Sequence, residues 1–228
     1  MSLSRLALAG IVAAGSVAFS QTGSQAPARP DHMEHRFDNP EASAQSFDDP
    51  ARDAWQMPDR VIATLGLKPG QTVADIGAGT GYFSVRLARS PAAPKVYAAD
   101  IEPAMVKYLQ DRAAREGLKN VVAVLAAADT PNLPEPVDVA LIVDTYHHIA
   151  GREAYFRKLV KSLKPGGRVA IVDFKPDSPE GPPMEFRFSP EQLKSEMAQA
   201  GYRLAAQYDF LPRQHFLIFE VAGQPSGK

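Results

Sequence analysis

The stretch whose reading decides the fold is Val73-Ala74-Asp75-Ile76-Gly77-Ala78-Gly79-Thr80-Gly81-Tyr82-Phe83. It opens as a short apolar strand, breaks into a glycine turn and continues into an amphipathic run over residues 82–89. Strand, glycine turn and helix start together bring backbone N–H groups close to a nucleotide-like ligand. The glycines fall as G-x-G-x-G, not as the G-x-G-x-x-G of a dinucleotide fingerprint, and Asp75 stands two residues before the first. A second acid, Asp100, ends the next apolar segment (residues 95–99) and lies 19 residues beyond Gly81. A carboxylate at that place accepts hydrogen bonds from both hydroxyls of an adenosine ribose.

Further along, Leu163-Lys164-Pro165-Gly166-Gly167-Arg168 is similar to an "LKPGG" turn before a fifth strand. With the glycine turn and Asp100, these residues make the chain resemble a class I S-adenosyl-L-methionine (SAM)-dependent methyltransferase over about residues 53–221. The resemblance implies an α/β fold: a doubly wound seven-stranded sheet with helices on both faces and a C-terminal antiparallel hairpin. It implies SAM as cofactor, with Asp75, Gly77, Gly79, Gly81, Asp100 and Ile101 around it, and a small-molecule acceptor. The glycine spacing disfavours a nicotinamide oxidoreductase.

The rest of the pattern agrees with that fold. Apolar segments at 72–76, 95–99, 121–125, 137–143 and 168–174 read as strands, alternating with helical runs at 82–89, 103–116 and 153–163. Ser189-Pro190-Glu191-Gln192 carries a cap, a first-turn proline and a capping-box glutamine, so a helix runs from there to Ala200 and stops at Gly201. Two last strands, 203–210 and 215–221, are joined by Leu211-Pro212-Arg213-Gln214 alone, which is too short for a crossover and makes the pair antiparallel.

Composition narrows the chemistry. In 228 residues, 25 Lys and Arg face 26 Asp and Glu, and no basic run marks a nucleic-acid surface. The chain has no cysteine, which removes thiol nucleophiles, disulfides and cysteine metal sites. No Asp-Asn pair follows the fifth strand, so the magnesium site of catechol-type enzymes is not expected, and no metal is assigned.

The N-terminus has its own organisation. Arg5 followed by the uncharged residues 6–19, with small residues at 16, 18 and 20, reads as a signal peptide over 1–20, cleaved after Ala18 or Ser20. That reading makes the mature protein periplasmic or secreted, with no stable membrane insertion after cleavage. Residues 21–30 read as a disordered linker, 31–66 as an N-terminal helical lid, 67–222 as the SAM-binding domain and 223–228 as a tail. Pro58 splits the lid helices at Met57. Trp55, the single tryptophan, either covers the pocket or anchors the lid on the core. His32 and His35 read as exposed histidines.

In an open α/β sheet the ligand lies beyond the carboxyl ends of the strands. After the third strand the resemblance places Asp129, in Asp129-Thr130-Pro131-Asn132-Leu133-Pro134, at the adenine amino group; a turn residue beside Pro131 is the alternative reading of Asp129. After the fourth strand, Asp144-Thr145-Tyr146-His147-His148-Ile149 is similar to the "N-x-L-H-H-I" stretch of small-molecule methyltransferases, with Asp144 in place of the more usual Asn. That position implies contact with the methionine end of SAM. Asp144, His147, His148, Asp173 and His215 are candidates to converge on one cavity, with His147 or His148 as proton acceptor for the nucleophile. One of the two histidines is expected to face the cavity and the other, more readily His148, to pack away from it. A non-catalytic module binding SAM or S-adenosylhomocysteine is the rival reading.

Overall fold

A computed structural model describes residues 31–33, 36, 37 and 39–223. The signal peptide (1–20), the linker (21–30), His35 and most of the tail lie outside the described residues. The seven strands are β1 (Thr72–Ile76), β2 (Lys95–Asp100), β3 (Val121–Leu125), β4 (Val137–Val143), β5 (Leu163–Phe174), β6 (Tyr202–Tyr208) and β7 (Gln214–Val221). They form one sheet in the order β3-β2-β1-β4-β5-β7-β6. The first five are parallel, and β7 runs antiparallel between β5 and β6. The order reverses between β1 and β4, which opens a ligand crevice at their carboxyl ends.

The helices are α1 (Pro40–Phe47), α2 (Asp53–Gln56), α3 (Pro58–Thr64), α4 (Tyr82–Arg89), α5 (Pro103–Arg115), α6 (Arg152–Leu159) and α7 (Pro190–Gln199). β1 and β4 are buried on both faces, as strands covered by helices on either side must be, and their sequences are accordingly almost unbroken apolar runs. One core cluster joins Ile76, Ile142, Phe156, Leu193 and Phe219; the other joins Val61, Leu87, Val139, Val172 and Phe216. The alternation of strand residues sends Ala74 and Ile76 to the first and Val73 to the second.

Three local readings change. The segment before Asp49 holds a helix, α1, that apolar periodicity does not announce; it rests on Asn39, whose Oδ1 accepts the Ala42 N–H at 3.0 Å, and on Pro40 at its first turn. α6 stops at Leu159 and tightens into a 3₁₀ turn, Val160–Ser162. β5 starts five residues early, because Leu163 pairs with Val137 before the register shifts at the Gly166-Gly167 turn. The expected break at Met57 is present: its φ of 45° is left-handed, and it ends α2 and starts α3. The α7 capping box forms as the sequence expects, with Ser189 and Gln192 bonding reciprocally.

Candidate active site

Beyond the carboxyl ends of the strands lies a cavity of about 1160 Å³, lined from the glycine turn, the ends of β2, β4 and β5, and the N-terminal segment. A single small-ligand site occupies about 300–1,000 Å³, so the space accommodates a cofactor and part of a second molecule.

Its cofactor half is built from β1, β2 and the turn between β1 and α4. Gly77 has φ +74° and a Cβ there would overlap the Thr145 side chain; Gly79 has φ +54° and a Cβ there would press the Phe47 ring at 3.2 Å. Both positions therefore need glycine, for backbone and for space. Asp100 is buried, and its carboxylate accepts the Gly79 N–H at 2.8 Å and the Glu102 N–H at 3.0 Å. Burial holds its pKa above the ordinary carboxylate range, against those hydrogen bonds. Asp75, also buried, accepts the Ser84 hydroxyl at 2.6 Å; burial raises it to about 6, and the charge of Asp100 adds to the rise. Ile101 lines the cavity with an exposed apolar side chain, 54% accessible, a face on which a flat ring can lie.

Two residues expected here lie elsewhere. Gly81 is the cap of α4, where a Cβ would strike Leu109, and is not among the cavity residues. Asp129 turns to solvent and pairs with Lys158 of α6 at 2.5 Å, which lowers its pKa; backbone and side chains of Ala126, Ala127 and Ala128 form the wall instead. Asp129 stands exposed in the turn after β3, and Pro131 reads as the turn signal it is.

The other half centres on His147 and Asp173, 3% and 2% exposed. His147 Nδ1 lies 2.9 and 3.0 Å from the two oxygens of Asp173, which also accepts the His147 and Phe174 backbone N–H groups at 3.3 and 2.7 Å. A carboxylate only accepts, so the proton sits on Nδ1, and Nε2 is the nitrogen left to act as a base. Burial pulls the imidazole pKa down, but the charge and hydrogen bond of Asp173, aided by Asp144, outweigh it and set the value above the ordinary histidine range.

His148 is the half-buried one of the pair, the reverse of the expected order. The two occupy a 3₁₀ turn, Tyr146–His148, and both line the cavity, their ring centroids 4.3 Å apart. The tighter turn and an N-terminal strap defeat the helical reasoning that sends one inward and one outward. His148 Nδ1 donates to the Met33 carbonyl at 2.8 Å, its ring meets Phe37 edge-on, and the Met33 N–H returns to the His147 carbonyl at 2.9 Å. His215 sits opposite Asp173 in the β5–β7 ladder but outside the cavity; burial, then Lys175, pushes its pKa down.

Asp144 lines the cavity with a left-handed φ of 52°, a conformation Asp and Asn tolerate better than most residues. Its carboxylate is held by protein donors: Gln56 at 2.8 Å, Arg52 at 3.3 Å and the side-chain amide of Gln214. Burial raises its pKa to about 6, opposed chiefly by Arg52.

Those partners belong to a lid that the sequence showed only in outline. Asp48 receives Arg112 at 2.9 and 3.0 Å, Phe47 covers Gly79, Arg52 and Gln56 reach Asp144, and Trp55 packs on Phe174 at 5.9 Å between ring centroids. Asn39-Pro40 and Asp49-Pro50, each an acceptor side chain before a proline, are the signals that could have located it.

The sheet order, the glycine turn and the acid closing β2 define the class I methyltransferase fold, with its C-terminal antiparallel hairpin. Residues 73–167 match the family model described as "Methyltransferase domain". Over 124 residues the chain is 35% identical to a ubiquinone/menaquinone biosynthesis C-methyltransferase of Ectopseudomonas mendocina, covering 52% of this chain and 48% of that protein. It is 32% identical over 122 residues to the 27-O-demethylrifamycin SV methyltransferase of Amycolatopsis mediterranei, covering 52% and 44%. The chain thus spans about half the length of the curated relatives it matches. A solved SAM-dependent methyltransferase from Aquifex aeolicus superposes with a TM-score of 0.74 at 28% identity, covering 81% of this chain and 99% of that one. Residues 73–167 are thus a methyltransferase domain on the class I fold, and that fold and domain imply SAM as the cofactor. The cradle fits that group: two glycines where a Cβ would fill the space, a buried acid at the end of β2 and an apolar shelf at Ile101.

Proposed function

We propose that the protein methylates a hydroxyl of a small organic acceptor, with His147 as the proton acceptor and Asp173 as the residue that orients it. One observation carries this reading. A buried imidazole lines the same cavity as the glycine turn, and its Nδ1 is fixed on a carboxylate so that Nε2 is the basic nitrogen. Bound SAM supplies a sulfonium methyl that passes to a nucleophile and leaves a thioether. The protein's share is alignment, exclusion of water and removal of one proton. Asp100 and the Gly77–Gly79 turn hold the adenosyl end, Phe47 of the lid covers it, and Arg52 and Trp55 close over the rest of the cavity. His147 Nε2 takes the acceptor's O–H proton, and the imidazolium so formed is stabilised by Asp173. The dyad favours an enzyme over a module that only binds SAM, which has no use for an oriented base.

The test is formation of S-adenosylhomocysteine from SAM with a panel of phenols, amines and carbon acids. Turnover with hydroxyl acceptors, rising with pH, is the expected result. SAM binding without product from any class would return the protein to the binding-module reading. We propose in addition that the protein is exported, on the strength of Arg5, the uncharged residues 6–19 and the small residues that end them. N-terminal sequencing of material from the native host should show a start at Phe19 or Gln21; an intact Met1 would refute it.

A further inference from the structure

The acceptor half of the cavity contains an aromatic wall and a cation that methyl transfer itself does not need. Trp55 of α2 and Phe174 at the end of β5 face each other at 5.9 Å with 39° between their planes. The Arg213 guanidinium lies 5.1 Å from the centre of the Trp55 ring, and Glu180 to Pro183 of the loop after β5 complete that side; all of them line the cavity. Arg213 is anchored through its backbone, because its carbonyl accepts the Lys175 N–H at 2.9 Å and Lys175 Nζ bonds the neighbouring Leu211 carbonyl at 2.7 Å.

The side-chain partner of this arginine is Glu180, at 2.6 Å. The two differ in exposure: the Arg213 side chain is 27% exposed and that of Glu180 is 62%. An ion pair this open to water contributes little, about 0–1 kcal/mol. A carboxylate carried on a flat ring and seated against Trp55 would meet the guanidinium fork shielded from water, where such a pair is bidentate and stronger. Glu180 then acts as a placeholder that a better carboxylate displaces.

From this geometry we infer that the acceptor is a planar aromatic hydroxy acid, whose ring lies along Trp55 and Phe174 and whose carboxylate replaces Glu180 on Arg213. The inference rests on the hydroxyl-methylation reading above and names its substrate class. The bond changes are those of that reaction: the hydroxyl loses its proton to His147, its oxygen gains the methyl, and the carboxylate only binds.

Trp55 is the single tryptophan of the chain, so its fluorescence reports on this wall. The full chain, saturated with S-adenosylhomocysteine, is titrated with 2-, 3- and 4-hydroxybenzoate and with the three matching hydroxybenzamides, which are neutral and nearly isosteric. At least one acid should bind about tenfold more tightly than its amide. Arg213→Gln should erase that difference while leaving amide binding in place. Glu180→Gln, a change on an exposed loop, should tighten the acid severalfold and leave the amide where it was. A merely structural Arg213 would weaken both probes alike. Equal binding of acid and amide, failure of all three acids to bind, or loss of acid affinity in Glu180→Gln would each overturn the inference. The two readings fail separately: methylation of neutral phenols with no preference for acids sinks this one alone, whereas SAM binding without hydroxyl methylation sinks the reading beneath it.

Discussion

The two halves of the cavity are built by different means. The cofactor half comes from neighbours in sequence: Asp75, Gly77, Gly79, then Asp100 and Ile101, on two adjacent strands and their turns. The acceptor half is gathered from Met33, Trp55, Asp144, His147, Phe174, Glu180 and Arg213, which no short window of sequence contains. The first half is shaped mainly by a backbone turn, whose Gly77, Ala78 and Gly79 N–H groups are tied to the Ala99 carbonyl and to Asp100; the second is built of side chains held by other side chains. A contiguous, backbone-built half tolerates variation elsewhere in the chain. A dispersed half is free to change its ligand by changing a loop, and it is also where single side chains carry the chemistry.

The largest expected effect lies in the dispersed half. His147→Ala should lower the methylation rate by about 10²–10⁴ with SAM affinity nearly unchanged. Asp173→Asn should also slow the reaction, because an amide can present its N–H to Nδ1 and leave the proton on the wrong nitrogen. The pKa direction fixes the pH profile. The base is active when neutral and its pKa is raised, so the wild-type rate climbs with pH through a limb centred above 6.5, the reference value. Asp173→Ala should move that limb down, since burial then acts without its opposing partner. A pH–rate series on the wild type and the three variants measures this, and a flat wild-type profile would assign catalysis to alignment alone.

The contiguous half is probed at Asp100. Asp100→Ala should weaken SAM binding by about 1.5–3 kcal/mol, the scale of hydrogen bonds to a charged group. Because Asp100 also holds the Gly79 N–H, calorimetry on Asp100→Asn separates ribose recognition from support of the turn. Equal SAM affinity in all three proteins would remove Asp100 from the site.

The same contrast decides what could be read in advance. The strands, their parallel order and the hairpin were legible, since apolar runs and a four-residue connection are local signals. So were the glycine turn and Asp100. Asp129 is legible only as the turn residue beside Pro131: the turn carries it to solvent, where Lys158, 29 residues away, meets it. The histidines were found, but their order of burial was not; it depends on Met33, which closes over His148 from 115 residues away. The lid's grip on Asp144 escaped for the same reason. Gln56 and Gln214 look like unremarkable polar residues until the fold buries both completely beside one carboxylate.

The lid joins the two halves, and its hold is predicted to be weaker than either site. Asp48 bridges Arg112 of α5 and the Thr80 hydroxyl, with 24% and 16% of the acid and arginine side chains exposed. Asp48→Ala leaves Arg112 its bonds to Glu116 and the Thr80 carbonyl, so the fold should survive. The loss should be about 1 kcal/mol, appearing as SAM release roughly fivefold faster. Stopped-flow fluorescence of Trp55 reads that rate directly. An unchanged rate would mean that Phe47 and the Arg52–Asp144 contact close the lid without this pair.

The smallest effect has an unusual sign and belongs to the contiguous half. Asp75 is buried with Ser84 as its hydroxyl donor, and burial lifts its pKa to about 6. A folded-state value above the unfolded one means that the protonated acid is the form the fold prefers. Its contribution to stability is therefore full below the ordinary value of 3.8 and is lost as pH rises through about 6. At pH 7.5 the carboxylate is a burden on the fold, retained next to the cofactor cradle. Asp75→Asn keeps an oxygen to accept the Ser84 hydroxyl and removes the charge. Its Tm at pH 7.5 should exceed that of the wild type by about 2 °C, on the scale of 2–4 °C per kcal/mol for a chain of this size, and the gain should fade as pH falls below 5. Calorimetric scans of both proteins across that range test it. A mutant less stable than the wild type at pH 7.5 would show that the ionised carboxylate is stabilised here, and that the cofactor half, like the acceptor half, depends on side-chain charge as well as on its backbone.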